Sequence, residues 1–313
     1  MTYFKLGLTT VAIIILIALP QVTSLYFIAF MLAIFKYTTL SVSWNMLSGY
    51  TGYLSLGHSL FFGLGGYTFA MFMTKSNLHW LPSLILSGLI VALIGLMLGF
   101  ILLTSKIRIA YFAMITLGLN EVIRVLVTNS DTLGGGSGIM LPPIPSASLA
   151  YYIMLVIVLT SLLITYVLDR TSMGLGLKGI LQDEEAASAT GVHTAKLKIS
   201  VLVLSTFFPG MMGGVVAWNW SYIDPIMAFD LILSFNMVIM ATIGGIGTLW
   251  GPVLGACFLT SLIELLSTNI QHFHGIIFGF LIVVTILLEP GGLIQLIARV
   301  KSYAFKKIKV TTA

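Results

Sequence analysis

The interval from Asp169 to Lys198, DRTSMGLGLKGILQDEEAASATGVHTAKLK, decides how this chain is organised, because it is the only long polar interval in an apolar sequence. It holds four of the ten acidic residues and four of the fifteen basic residues. Its centre, from Gln182 to Gly191, predicts a short capped helix. Acidic residues occupy the first turn, where the helix dipole favours them, alanines fill the body, and a glycine follows at the usual stop. We expect this helix to meet a partner outside the bilayer.

The composition identifies the class of protein. The hydrophobic fraction is 58%, the charged fraction is 8% and the mean hydropathy is +1.07, which together exclude a soluble protein. The alternating pattern of a membrane barrel is absent from the sequence, so the spans are helices. We therefore predict an all-α polytopic membrane protein, with residues 1–313 as one transmembrane domain that carries a cytoplasmic loop at about 169–198.

A helix needs about 20 apolar residues to cross the hydrocarbon core of a bilayer, and the sequence contains about ten such stretches. The first stretch, which ends at Pro20, resembles a secretory signal. However, no good small-x-small cleavage site follows it, so we expect an uncleaved first helix. The predicted spans are roughly 4–20, 24–43, 58–74, 81–103, 108–128, 149–168, 199–218, 232–248, 252–267 and 275–296.

The placement of lysine and arginine predicts the orientation of the chain. With ten spans, the loops rich in basic residues fall on one side of the membrane. The loops at 129–148, 219–231 and 268–274 contain no lysine or arginine and fall on the other side. Both termini and the polar interval are therefore predicted to be cytoplasmic, with Lys75 as the exception. The net charge of +5 is then explained by basic residues on the cytoplasmic side, where they meet anionic lipid headgroups, and not by binding of nucleic acid.

Two glycine-rich passages, at 49–66 and 244–255, interrupt the helical pattern. Glycines in membrane helices either let two backbones pack closely or mark unwound backbone beside a polar path. We favour unwound backbone for the first passage, because Asn45, Ser55 and His58 add polar groups, and close packing for the second. The structural glycines of the second passage are Gly244, Gly245, Gly247, Gly251 and Gly255.

Several charged residues fall within predicted spans. Glu121 and Arg124 are three residues apart, which places them on one helix face as an ion pair that either stabilises the bundle or lines a translocation path. Lys36 and Glu289 lie near the inner ends of their predicted spans, and Glu264 lies near an outer end. We expect these three side chains to reach the membrane surface or to pair locally.

No catalytic or metal-binding grouping is visible in the sequence. The histidines lack a second ligand at the spacing of a metal site, no nucleophile–base grouping occurs, and no GxxxxGK[ST] motif is present. Cys257 is the single cysteine. We predict a protein that is not an enzyme, binds no metal and needs no cofactor.

Four passages, taken together and in order, resemble one family. They are Gly52 to Tyr67 with its G-x-x-S-x-G-H run, Thr116 to Ile139, Asp183 to Gly191, and Gly244 to Ala256. They resemble the permeases of branched-chain amino-acid ABC importers, and the serine–glycine–histidine run resembles the M-type subunit rather than its H-type partner. The resemblance covers nearly the whole chain after residue 36.

The resemblance implies that this chain and an H-type permease form the solute path of a type II-like importer in the cytoplasmic membrane of a bacterium or archaeon. Two ATPase subunits hydrolyse ATP, and an extracytoplasmic binding protein delivers the amino acid. The residues that it assigns to ATPase coupling are Lys178, Asp183, Glu184, Glu185, Ala186, Ala187 and Gly191. Those expected along the path are Asn45, Gly49, Gly52, Ser55, Gly57, His58, Phe62, Glu121 and Arg124.

One departure from the family pattern lies beside the predicted capped helix. Family members commonly carry arginines at the positions of Leu175 and Leu181, so Lys178 is the basic residue that is left there.

Two other functions remain open. An ion-coupled secondary transporter also uses broken glycine-rich helices, although it does not explain the capped acidic helix. Relatives of the same ABC family carry urea or short amides, and the sequence does not specify the solute.

Overall fold

The computed structural model describes residues 14–105, 107, 109–269 and 292–295. Most of the predicted spans 4–20 and 275–296 therefore lies outside the described residues. The helices are α1 (14–22), α2 (Leu25–Thr51), α3 (Ser59–Thr74), α4 (Trp80–Thr104), α5 (Ile109–Thr128), α6 (Ala147–Arg170), α7 (Ser172–Gln182), α8 (Glu184–Ala189), α9 (Thr194–Trp220), α10 (Pro225–Ala228), α11 (Leu231–Gly244) and α12 (Gly251–Asn269).

These helices confirm the prediction of an all-α polytopic membrane protein. Within the described part of the chain, six helical segments are long and apolar enough to cross a membrane, and α3 and α12 are shorter apolar helices. The predicted total of ten spans stays a prediction. The largest difference from the predicted boundaries is in α2, which we expected to end at residue 43 and which continues to Thr51.

Two strands at one end of the bundle tie distant loops together. β1 (Ile139–Met140) pairs antiparallel with β2 (Tyr222–Ile223), and Tyr222 Oη donates a hydrogen bond of 2.9 Å to the Ser137 carbonyl. Lys75 Nζ donates to the carbonyl of Thr132 in the same region. The loops that lack basic residues around 129–148 and 219–231 therefore share one end of the bundle, which the charge pattern assigns to the outside.

Helix α9 lies at the centre of the bundle and packs against α2, α3 and α4. Its contact with α3 depends on glycines. A Cβ atom on Gly65 would overlap the backbone of Gly210, and one on Gly213 would overlap the Phe62 carbonyl oxygen and lie 2.9 Å from its carbon. Small residues at such crossings let membrane helices approach closely enough for extensive van der Waals contact.

The α3–α9 crossing predicts a large difference between two glycine-to-alanine changes. Gly213→Ala should destabilise the protein by about 1–3 kcal/mol, because the added methyl group forces two backbones apart. Gly118→Ala is the matched control, since a Cβ atom there meets nothing within 4 Å, and it should be neutral or slightly stabilising. Thermal unfolding in detergent compares the two variants, and equal midpoints would contradict this account of the crossing.

Candidate functional site

The predicted capped helix is present as α8, and local hydrogen bonds define both of its ends. Asp183 is the N-cap, and its Oδ1 accepts hydrogen bonds from the backbone N–H groups of Glu185 (2.9 Å) and Ala186 (3.0 Å). At the other end Gly191 has φ of +90°, which favours glycine. The Val192 N–H donates to the Ala187 carbonyl at 3.2 Å, and the Gly191 N–H donates to the Ser188 carbonyl at 3.0 Å. These two hydrogen bonds form a Schellman motif.

The two faces of α8 differ in exposure. Ala187 is buried and faces α7, where a Cβ atom on Gly179 would lie 3.7 Å from the Ala187 Cβ. Glu184 is half-buried, whereas Glu185 and Ala186 are exposed. The helix therefore presents a small-residue face with the exposed Glu185 side chain to the outside of the bundle, while the Glu184 side chain turns towards the bundle.

Glu184 belongs to a cluster with Tyr53 and Lys198, which we call the Tyr53–Glu184–Lys198 cluster. Lys198 Nζ lies 2.5 Å from Glu184 Oε1 and donates a hydrogen bond of 3.1 Å to Tyr53 Oη. Tyr53 Oη donates to Glu184 Oε2 at 2.8 Å, and the Lys198 ammonium lies 4.4 Å from the centre of the Tyr53 ring. The cluster joins α8, the start of α9 and the segment between α2 and α3.

The electrostatics of the cluster favour the ionised form of the Glu184 carboxyl. Burial by itself raises the pKa of the Glu184 carboxyl, but hydrogen bonds from Lys198 and Tyr53 outweigh it, and the net pKa is lowered. Burial and the hydrogen bond to Glu184 raise the pKa of the Tyr53 hydroxyl, which therefore stays a proton donor. The side chain of Lys198 is only 1% exposed, so its ammonium depends on these two partners.

The segment 52–58 separates α2 from α3 and is unwound, as the sequence predicts for this part of the first glycine-rich passage. Gly52 ends α2 with φ of +79°, and the Trp44 indole donates to the Ser55 carbonyl at 2.7 Å. The Ser55 N–H donates to Ser48 Oγ at 3.2 Å. The Trp44 and Ser48 side chains thus supply partners that the broken helix lacks. The His58 side chain joins the segment to α9, because its Nε2 donates to the Ser205 carbonyl at 3.2 Å.

The packing around segment 52–58 is tight. Ser55 and His58 are buried, and a Cβ atom on Gly57 would overlap the Thr116 carbonyl of α5. The cavity beside Ser55 and Gly57 has a volume of only about 10 Å³, which is close to the space that one water needs. The assignment of Gly52, Ser55, Gly57 and His58 to the solute path stays a prediction.

Asn45 and Gly49 lie within α2, whereas we expected Gly49 to lie in unwound backbone. Asn45 Nδ2 donates to the Thr248 carbonyl at 2.9 Å, and the Gly247 N–H donates to Asn45 Oδ1 at 2.8 Å. One amide side chain of α2 thus joins the helix, one turn before the first glycine-rich passage, to the second passage, a contact that the sequence did not indicate.

The second glycine-rich passage contains the close approaches that packing requires. A Cβ atom on Gly244 would overlap the Gly251 carbonyl, and one on Gly255 would overlap the Met240 carbonyl. Gly245 and Gly247 have positive φ values of +126° and +71° in the turn between α11 and α12.

The predicted ion pair in α5 forms. Arg124 donates from Nε at 2.9 Å and from Nη2 at 2.5 Å to the same oxygen, Glu121 Oε2, and both side chains are about a third exposed. Both predicted roles of the pair, support of the bundle and lining of a path, stay predictions. Phe62, the other predicted path residue, is buried beside a separate cavity that also contacts Lys36.

Two expectations about basic residues need correction or extension. Lys36 does not lie near the inner end of its helix. Because α2 continues to Thr51, Lys36 lies near the middle of the helix. Its Nζ is 5.8 Å from the ring of Trp220, at the opposite end of the bundle from α8.

Lys178 forms an ion pair, with its Nζ 2.6 Å from Asp169 Oδ1, and this pair holds α7 to the end of α6. The neighbouring Leu175 is 70% exposed.

Comparisons with known proteins agree with the resemblance. Residues 26–286 match the family described as "Branched-chain amino acid transport system / permease component". The chain is similar to the high-affinity branched-chain amino acid transport system permease protein LivM of Salmonella typhimurium, with 25% identity over 292 residues that cover 83% of this chain and 68% of the relative. LivM of Escherichia coli is 26% identical with the same coverage.

A more distant similarity is to the fructose import permease protein FrcC of Rhizobium meliloti, at 28% identity over 145 residues, 44% of this chain and 40% of that protein. No solved structure matches the chain. In the part of the chain that the structure describes, no group of three or more histidine, cysteine, aspartate or glutamate side chains is arranged to hold a metal ion.

The Tyr53–Glu184–Lys198 cluster predicts an asymmetry between its two charges. Glu184→Gln should destabilise the protein by about 1–3 kcal/mol, because it leaves a fully buried ammonium without its anion. Lys198→Met should cost less, because the remaining Glu184 carboxylate is 31% exposed and reaches water. Unfolding in detergent measures both variants and the double change.

The same cluster predicts a pH dependence. A lowered folded-state pKa means that the stabilisation by Glu184 is complete above the ordinary glutamate value of 4.5 and is lost as the pH falls through the folded-state value. The difference in stability between the wild type and Glu184→Gln should therefore be constant near neutral pH and shrink in acid. A difference that instead grew in acid would contradict the assigned interaction.

Proposed function

This chain belongs to the family of branched-chain amino acid transport permeases, and from that premise we propose that it is one of two permease chains of an ATP-driven importer for branched-chain amino acids. The second chain is an H-type permease. Two ATPase subunits bind on the cytoplasmic side, and an extracytoplasmic binding protein delivers the solute. This chain does no chemistry itself, and it lies in the inner membrane with both termini and α8 in the cytoplasm.

The observation that carries the coupling part of this proposal is the Tyr53–Glu184–Lys198 cluster. Helix α8 is fixed by a cap at each end and exposes Glu185 and Ala186, so a docked ATPase can push it as a rigid unit. The cluster attaches that unit to α9, the central helix, and to the unwound segment 52–58. Movement of α8 therefore reaches the bundle through hydrogen bonds and an ion pair, without any covalent step.

The docking surface of this chain is less basic than the family pattern suggests. Lys178 is engaged with Asp169, and Leu175 and Leu181 are exposed where arginines are common. We propose that docking to the ATPase uses apolar contacts of α7 together with the small-residue face of α8. Apolar contacts of this kind are less sensitive to salt than surface ion pairs.

The proposed solute is tested with the purified complex of this chain and its cognate partner subunits in liposomes. L-Leucine, L-isoleucine or L-valine, supplied with the binding protein, should stimulate ATP hydrolysis and enter the vesicles in an ATP-dependent manner. Urea, acetamide and D-fructose are the comparison solutes. Uptake of one of these instead of leucine would overturn the solute, and uptake driven by an ion gradient without ATP would favour a secondary transporter.

The proposed coupling route predicts different phenotypes for two neighbouring changes. Tyr53→Phe removes the hydroxyl that binds both Glu184 and Lys198, so hydrolysis should continue while leucine uptake falls several-fold. Glu185→Lys reverses the exposed charge in the first turn of α8, so ATPase subunits should be lost on purification. Uptake per ATP hydrolysed and co-purified ATPase are measured for each variant.

A Tyr53→Phe variant with normal uptake per ATP hydrolysed would contradict the proposed coupling route but not the proposed transport function. Tyr152→Phe is the matched control, because the Tyr152 hydroxyl donates to the Ile17 carbonyl, far from α8 along the chain. It should transport like the wild type.

A further inference from the structure

A second, larger cavity lies towards the end of the bundle that carries β1 and β2, between α2, α9 and α11. Its volume is about 210 Å³, far above the roughly 10–15 Å³ that one water needs. Its lining includes three polar side chains, Lys36, Asp230 and Asn236, and the apolar side chains of Phe62, Leu233 and Trp220. The cavity beside Ser55 and Gly57 is too small for an organic solute, whereas this one is large enough.

Lys36 gives the cavity a positive charge at membrane depth. It lies in the middle of α2, about 16 Å along the axis from Leu25. Its Nζ contacts the rings of Tyr37 (4.3 Å) and Trp220 (5.8 Å). Among the described residues no carboxylate lies within ion-pair distance of Lys36. A cation within a membrane span faces a polar cavity or a partner charge and often marks a solute pathway.

Asp230 and Asn236 supply complementary groups on the neighbouring helix. Asp230 caps α11, with its Oδ1 accepting from the Ile232 N–H at 2.8 Å. Within the described part of the chain its second oxygen has no hydrogen bond and it forms no ion pair, and the Asn236 amide has no hydrogen-bond partner. The cavity thus holds one cation and one anion that are not paired with each other.

Apart from Tyr37, the remaining side chains of the wall are apolar or aromatic. Phe62 is 5% exposed and Leu233 is 8% exposed, so both hold fixed positions in the core, and Trp220 is half-exposed at the rim. A site with a few convergent polar groups on an otherwise apolar wall is typical for a small organic ligand. Separated opposite charges beside such a wall match a molecule that carries both charges and an aliphatic side chain.

We propose that this cavity binds the transported α-amino acid, with its carboxylate on Lys36, its ammonium on Asp230 and its aliphatic side chain against Phe62 and Leu233. This assignment rests on the proposed import function, and it places the solute contact outside segment 52–58. A neutral solute such as urea or a sugar leaves both charges unmatched. The site therefore discriminates by charge as well as by shape.

The first experiment measures occupancy directly. In a Cys257→Ala background, Asn236→Cys is labelled with a membrane-impermeant methanethiosulfonate reagent in the purified complex without binding protein or nucleotide. L-Leucine should slow labelling several-fold. 4-Methylpentanoate and 3-methylbutylamine, which each lack one charge, should slow it much less. Lys36→Met in the same background should abolish the protection, whereas Lys36→Arg should preserve most of it.

The second experiment measures transport. Lys36→Met and Asp230→Asn should each lower leucine uptake at least ten-fold in the full complex, while ATPase subunits still co-purify. Lys75→Met is the control, because Lys75 is exposed on an outer loop and lines none of these cavities. Normal uptake by Lys36→Met, with wild-type protection, would overturn the assignment of Lys36.

The two experiments separate failure of the site from failure of the function. Leucine uptake by the wild type without any protection of Asn236→Cys would overturn the cavity assignment and leave the import function standing. Protection by leucine in a complex that imports no amino acid would support the cavity and overturn the function. Equal protection by leucine and by its singly charged analogues would overturn recognition of both charges.

Discussion

The structure depends on one constraint of the membrane interior, that every backbone group removed from a helix must find a partner in the protein. The break between α2 and α3 meets this constraint with side chains from its surroundings, such as the Trp44 indole and the Ser48 hydroxyl. These bonds fix the break, and the fixed break in turn places Tyr53 where it can hold Glu184. The position of α8 is therefore set from inside the bundle as well as by its own caps.

The parts of the fold that follow from local chemistry were predictable. The Asp183 cap, the alanine body and the Gly191 stop act within a few residues of one another, and α8 forms where the sequence places it. The Glu121–Arg124 pair is likewise a contact along one helix face. Most predicted spans agree with the described helices because about 20 apolar residues are a direct physical requirement of the bilayer.

The contacts that escaped prediction join residues that are far apart in sequence. Tyr53 and Glu184 are separated by 131 positions, and Asn45 and Thr248 by 203, so no local pattern indicates either bond. The end of α2 was wrong for a related reason. The predicted span ended at residue 43, yet Ser43, Asn45 and Ser48 are all buried among other helices, and the helix continues past them. That extension also moves Lys36 from a predicted surface position to the middle of α2.

The short β1–β2 ladder limits how the chain can open. Backbone hydrogen bonds join the loop after α5 to the loop after α9, and the Leu141 N–H adds another to the Ser221 carbonyl at 3.0 Å. Separating these loops would break their hydrogen bonds and expose the backbone groups, so the two loops stay together. In the importer proposed above, we therefore expect this end of the chain to move as one piece, so that access to the solute path changes by tilting of the whole chain rather than by separation of these two loops.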